Sequence, residues 1–406
     1  MNTQNTRQNG VASFTDPQNF SLVLGGPLFQ LLYRAHLVDD AEGLVWRRIW
    51  VISGLCWIPL LLLSLPHHQA TLASGALPFW QDADVHIRFL LVIPILIAAE
   101  LLVHLRVRGV VQQFLLRDLI PDEAMAQFNV AIERALRLRN SVLAELIIIL
   151  VVTLGFYFLW RDYMQLGVNT WFAVHTADGV AFTPAGWWYA VVSLPVLRFL
   201  LLRWYFRVFI WIRFLWQVSR IELRLLPTHT DRLGGLGFIA GTFYIFMPLA
   251  VAHGALLAGV LANRVLYDGA VLTHFKVEIG LMVVFVQLMV LAPLLVFTLQ
   301  LSRAKRAANR EYGALVMQHN RQFEQKWLRG ETKQYPDDEA ILGNPDVSSL
   351  VDLGSSYDVV RQMRIVPITK DAVLTLAAAT LLPLVPLLLT MMPMEELLKR
   401  LLGMLF

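Results

Sequence analysis

Arg198, Arg203, Arg207, Arg213, Arg220 and Arg224 recur through a stretch that is otherwise Trp, Phe, Leu and Ile, as in RWYFRVFIWIRFLWQVSRIELR at 203–224. A guanidinium keeps its charge and presents five fixed N–H donors. Such a row either pairs with carboxylates and lipid phosphates, or lines a path for anions. At 100° per residue all six fall in one half of a helix, with Trp204, Tyr205, Val208, Trp211 and Leu215 in the other. One face then meets lipid or apolar protein while the other meets charge partners, water or anions. Arg198 is the sharpest case: it lies about halfway down its span, where an unpaired charge costs at least ~2.5–3.5 kcal/mol. Arg198, Arg203 and Arg207 are therefore the candidate anion path, with Arg213 beside them.

The acids placed to answer these charges are Glu100, Glu145 and Glu222, all expected near the cytoplasmic face. Glu100 and His104 are four apart and share a helix face, and His253 lies in a later apolar run, so acid–base work is conceivable. Polar contacts within the bundle are the plainer role. In LPTHTDRLGGLGF (226–238), Gly234, Gly235 and Gly237 permit positive φ and close backbone approach, and the next helix begins near Arg232. Free N–H groups there suit an anion or a lipid headgroup. His229 and Asp231 supply two potential metal ligands without a third, so no metal is expected. No phosphate-loop lysine, HExxH, nucleophile elbow or kinase set occurs. No catalytic residue, cofactor or nucleic-acid partner is expected.

These residues sit in a chain that is 57% hydrophobic and 16% charged, where a soluble domain carries about 25% charge. Stretches of about 20 apolar residues cross a bilayer as helices. Seven are marked, approximately at 49–65, 89–105, 142–160, 187–207, 236–262, 279–301 and 372–392. The pattern predicts an all-α integral membrane fold: a polytopic bundle of about seven helices with a small cytoplasmic subdomain. The polar N-terminus does not have the layout of a cleavable signal. Basic residues number 24 on one set of alternate segments and 5 on the other, which puts the N-terminus in the cytoplasm and the C-terminus in the periplasm. The single cysteine, Cys56, excludes an intrachain disulfide.

The domain reading follows. Residues 1–48 form a cytoplasmic segment whose run at 20–37 is an interfacial or bundle-packed helix. Residues 49–302 hold six spans, the fourth continuing as an apolar, arginine-bearing helix from Trp187 to about Leu226. That helix would be about 57 Å long if unbroken. Residues 303–371 form a cytoplasmic amphipathic helix and short elements, 372–392 the seventh span with Pro383 and Pro386, and 393–406 an interfacial tail. Trp80, Trp160, Trp171, Trp187 and Trp188 are expected at the outer interface.

The segments NPDVSSLVDLGSSYDVVRQMRIVPI, PTHTDRLGGLGF and PLLLTMMPMEELLKRLLGMLF, within roughly residues 187–406, resemble a family of bacterial multi-pass inner-membrane proteins to which no activity is attached. The resemblance implies an inner membrane and transfers no site residue. From the residues, the leading function is a channel or transporter handling anions, as a homo-oligomer in contact with anionic inner-leaflet headgroups. The alternatives are a non-transporting scaffold or sensor signalling through the cytoplasmic subdomain, and a lipid-modifying enzyme built on Glu100, His104 or Glu145.

Overall fold

The computed structural model describes residues 20–23, 25, 43–67, 77–163, 170–176, 179–267, 269–329 and 344–389. In chain order the helices are α1 (Gly43–Ser64), α2 (Ala83–Leu116), α3 (Met125–Arg139), α4 (Val142–Tyr163) and α5 (Pro184–Val218). They continue with α6 (Gly237–Leu266), α7 (Leu272–Leu328), α8 (Pro345–Gln362) and α9 (Lys370–Leu388). A two-stranded antiparallel hairpin, β1 (Ala173–Thr176) and β2 (Gly179–Phe182), precedes α5. Six helices, α1, α2, α5, α6, α7 and α9, are long and apolar enough to cross a membrane. Counting α3 and α4, bent by 44° at their junction, as one crossing makes seven. The chain is an all-α, multi-pass membrane protein.

Local chemistry sets the ends of these helices. Asp82, Thr183, Asn344 and Thr369 each accept an N–H of the following first turn, replacing bonds a helix start lacks. Inside α2 and α5, wide turns at Ile87–Val92 and Tyr189–Ser193 come just before Pro94 and Pro195. A proline ring collides with the carbonyl four residues back and offers no N–H, and a π turn relieves both problems without ending the helix. At the end of the bundle that carries the hairpin, Asp82 accepts from Trp171 Nε1 at 2.8 Å and Asn263 Nδ2 at 2.8 Å. Trp171 is therefore 2% exposed, in the core and not at the interface expected for it. Trp80 and Trp187 do stand out, at 51% and 50% exposure.

Two further expectations change. The arginine helix stops at Val218 instead of running on to Leu226. Gln300 Nε2 from α7 donates to Ser219 O at 2.8 Å and also to Ile221 O, and Arg224 N donates to Leu119 O at 2.9 Å. Partners from other elements capture backbone groups that another helical turn would have used. The segment before the first span is not helical where it is described: Phe20, Ser21, Leu22 and Val23 are extended or bent and buried in the bundle. The rest of the run at 20–37 lies outside the described residues, as do Trp160's side chain and the tail at 393–406.

On the side opposite the hairpin, α7 continues to Leu328, and α8 packs back along it. Lys326 Nζ and Trp327 Nε1 both reach Asp346 Oδ2, at 2.7 and 3.2 Å, closing the two helices together. The short elements expected after residue 330 thus include one helix of 18 residues. Arginine-bearing α5 occupies the middle of the bundle, packed against α2, α3 and α4.

Candidate functional site

Three elements bring charge to one level of the bundle. Glu100, 3% exposed on α2, accepts Arg48 Nη2 of α1 at 2.6 Å and Arg207 Nη2 of α5 at 2.7 Å, one on each oxygen. Arg207 is 3% exposed and lies 4.9 Å over the Trp204 ring, and Trp204 Nε1 donates to Leu96 O at 3.1 Å, which holds that platform on α2. Arg203, one turn above, is 7% exposed and forms no hydrogen bond or ion pair among the described residues. Buried guanidinium atoms Arg48 Nε and Arg207 Nη1 also have no hydrogen-bond partner. From Trp187 near one end of α5 to Arg207 is about 20 residues, or 30 Å of helix, one hydrocarbon thickness. The cluster therefore lies near the end of the span opposite Trp187.

Around Arg203 and Arg207 is a crevice that also includes Glu145 and Ile148 of α4, Arg139 of α3, and Leu22 and Gly25 of the N-terminal segment. Arg139 Nη1 donates to Ser21 O at 2.7 Å. Ser21 Oγ accepts Val23 N at 3.1 Å and meets His104 Nδ1 at 2.9 Å. Among the described residues, Arg48, Arg139, Arg203 and Arg207 outnumber Glu100 and Glu145 here by two.

The structure thus brings Glu100, Glu145, Arg203 and Arg207 together, with His104 one turn away turned toward Ser21. It does not bring Arg198 and Arg213 to them. Arg198 is half-buried, has a partner of its own, and lies about 180° from Arg207 on the α5 wheel. Arg213 and Glu222 are exposed. Arg224 pairs with Asp118 and Asp122 at 3.1 and 3.6 Å, and Arg220 lies 5.1 Å over Trp216 beside a second crevice of about 410 Å³ between α3 and the end of α5. His253 stands elsewhere, its Nδ1 donating to Leu249 O and its Nε2 accepting from Tyr205 OH, each at 2.7 Å.

The glycine turn is occupied by its own acid. Asp231 accepts from Leu233 N at 2.8 Å, Gly235 N at 3.2 Å and Gly237 N at 2.8 Å, with Arg117 Nη1 3.7 Å away. The amides that suited an outside anion are closed by this carboxylate. Arg232 and Gly234, at φ 55° and 64°, turn the chain around it, and His229 Nδ1 lies 3.1 Å from Asp231 Oδ1. No group of three metal-ligating side chains occurs among the described residues.

No known protein family, curated protein or solved structure matches the chain.

Burial by itself would raise the Asp231 carboxyl, but the Leu233, Gly237 and Gly235 amides outweigh it and hold the group below the usual carboxylate range. Its unfolded value is about 4, so the stabilisation is complete above roughly pH 4 and fades as pH falls from there through the folded value. Asp231→Asn should cost roughly 1–3 kcal/mol at neutral pH. It should also flatten the melting-temperature profile below pH 4. An unaltered acid limb in thermal melts would assign that limb to other carboxylates.

Arg48, Arg139 and Ser21 belong to the cluster and were not singled out in the sequence. Arg48 stands in VWRRIWV at the mouth of the first span and Arg139 ends the helix before α4. Basic residues flanking a span at its inner end are the one signal that would have found them, and that signal is shared by residues facing lipid headgroups.

Proposed function

We propose that the chain is a multi-pass protein of a bacterial inner membrane, with its N-terminus in the cytoplasm, that handles anions as a channel or transporter assembled from copies of itself. The observation that carries this reading is the excess, among the described residues, of buried guanidinium over carboxylate on α5, where Arg203 and Arg207 line a crevice and Arg203 and Arg207 Nη1 lack hydrogen-bond partners. Buried cations raise the local concentration of anions and select for them. The asymmetry of basic residues supports the orientation. Assembly from several copies follows from six or seven spans being few to enclose a pore. Arg134 and Arg220, in the second crevice, are placed to meet anionic headgroups of the inner leaflet.

A second reading, a scaffold or sensor, is favoured by the cytoplasmic pair α7 and α8, whose exposed Leu315, Met317, Leu328 and Val351 offer apolar contacts. The enzyme reading has less support, since both oxygens of Glu100 are taken by arginines.

In proteoliposomes, a chloride or larger-anion gradient should collapse faster than a cation gradient. Arg203→Gln should slow that collapse at least tenfold, while the exposed Arg213→Gln leaves it within twofold. A folded, oligomeric protein that passes no anion under any voltage, pH or osmotic step would hand the case to the scaffold.

A further inference from the structure

The crevice beside Arg203 and Arg207 is small, and its walls are of two kinds. Its volume is about 20 Å³, enough for one water-sized species and too little for more. Among the described residues that line it, Arg139, Arg203 and Arg207 bring three positive charges and Glu145 one carboxylate. Leu22, Ile148, Phe206 and Ile210 complete the wall with side chains that offer no N–H or O–H donor. Two of the guanidiniums have N–H groups to spare. Arg203, 7% exposed, makes no hydrogen bond or ion pair among the described residues. Arg207 Nη1 is buried without an acceptor, although Nη2 of the same fork holds Glu100 at 2.7 Å. A buried donor left unsatisfied costs its desolvation, and a charged one costs more. A water would accept from these groups but leave their charge unanswered.

We propose that this crevice is the seat of a single halide ion of the chloride class, held by Arg203 and Arg207. Size and wall chemistry together decide the class. A halide is one atom, only a little larger than a water, and it accepts from whatever donors stand on one side of it. Phosphate or sulfate needs several times the volume and carries oxygens on every side. Those facing Leu22, Ile148, Phe206 and Ile210 would be buried without a donor. Glu145 is the opposing charge: a carboxylate on the same wall repels the halide and competes for the guanidiniums. It keeps binding weak enough for the ion to leave, which passage through a membrane requires. The inference rests on the anion reading above and adds to it the ligand class, the seat and the residue that opposes occupancy.

The test is thermal unfolding of purified full-length protein in detergent as bromide replaces gluconate at constant ionic strength. The melting temperature should rise with bromide and saturate, because a ligand that binds only the folded chain stabilises it. Sulfate at the same ionic strength should give no saturable rise. Arg203→Gln should weaken the apparent bromide affinity at least tenfold, and Glu145→Gln, which removes the opposing charge, should tighten it at least threefold. The position is read without any variant, from anomalous scattering by crystals of the parent grown in bromide, where a peak in contact with Arg203 and Arg207 is expected. A folded parent with no saturable bromide response, a bromide peak only outside the crevice, or a sulfate response equal to that of bromide overturns the proposal. So does a bromide response that a folded Arg203→Gln variant leaves unchanged. Proteoliposomes separate the seat from transport: saturable binding at the crevice without flux keeps the seat and removes transport, whereas anion flux without saturable binding removes the seat and leaves transport standing.

Discussion

Glu100→Gln should lower the melting temperature in detergent by on the order of 10 °C. The carboxylate is 3% exposed and is shared by Arg48 and Arg207 at 2.6 and 2.7 Å. Gln keeps the shape and one acceptor but removes the charge, leaving two desolvated guanidiniums facing each other beside Arg203. Removing one partner of a buried ion pair costs about 3–5 kcal/mol, and each kcal/mol moves the midpoint of a large chain by roughly 2–4 °C. The sign of the coupling is the sharper check. Arg48→Gln in the Glu100→Gln background should recover part of the loss, because it removes a charge that no longer has a partner. Additive losses in that double variant would mean that the three side chains do not act as one unit.

The second large effect is expected at Gly254, midway along α6. A Cβ built on it would meet the Thr380 carbonyl oxygen of α9 at 1.9 Å. The atom in the way is backbone, so no rotamer relieves the clash. Small residues at such a contact let two helices in lipid approach closely enough for dispersion and weak C–H···O contacts to hold them. Gly254→Ala should therefore cost about 1–3 kcal/mol or more and should part α9 from α6. Limited proteolysis in the α8–α9 connection would report that parting as faster cleavage. Gly280, whose Cβ would meet nothing within 4 Å, should tolerate Ala. Unchanged melting and cleavage in Gly254→Ala would show that α9 is held by contacts other than this one.

Much of the architecture is legible in the sequence because hydrocarbon imposes a length and a polarity on anything that crosses it. The expected spans at 49–65, 89–105, 187–207, 236–262, 279–301 and 372–392 each correspond to a crossing-length helix, with α1, α2, α5, α6, α7 and α9 in their places. Where the sequence misleads, a non-local partner is the reason. An apolar pattern continues past Val218, but the helix stops because Gln300 and Leu119 compete for its backbone groups. Trp171 carries the composition of an interfacial residue, but Asp82 draws its N–H into the core.

The site divides in the same way. That arginines line one half of α5, and that Glu100 and Glu145 stand near its inner end, follows from period and spacing alone, since both express distance along a single helix or depth in a bilayer. Which arginine meets which acid does not follow, because pairing depends on how helices rotate and cross. Glu100 selects Arg48 and Arg207 and leaves Arg203 open to the crevice. The Asp231 carboxylate closing its own turn, and the burial of Phe20, Ser21 and Leu22 beside the crevice, are likewise decided by tertiary contacts. Composition and period determine the solvent that each face of this chain meets; packing alone decides which charges find a partner there and which do not.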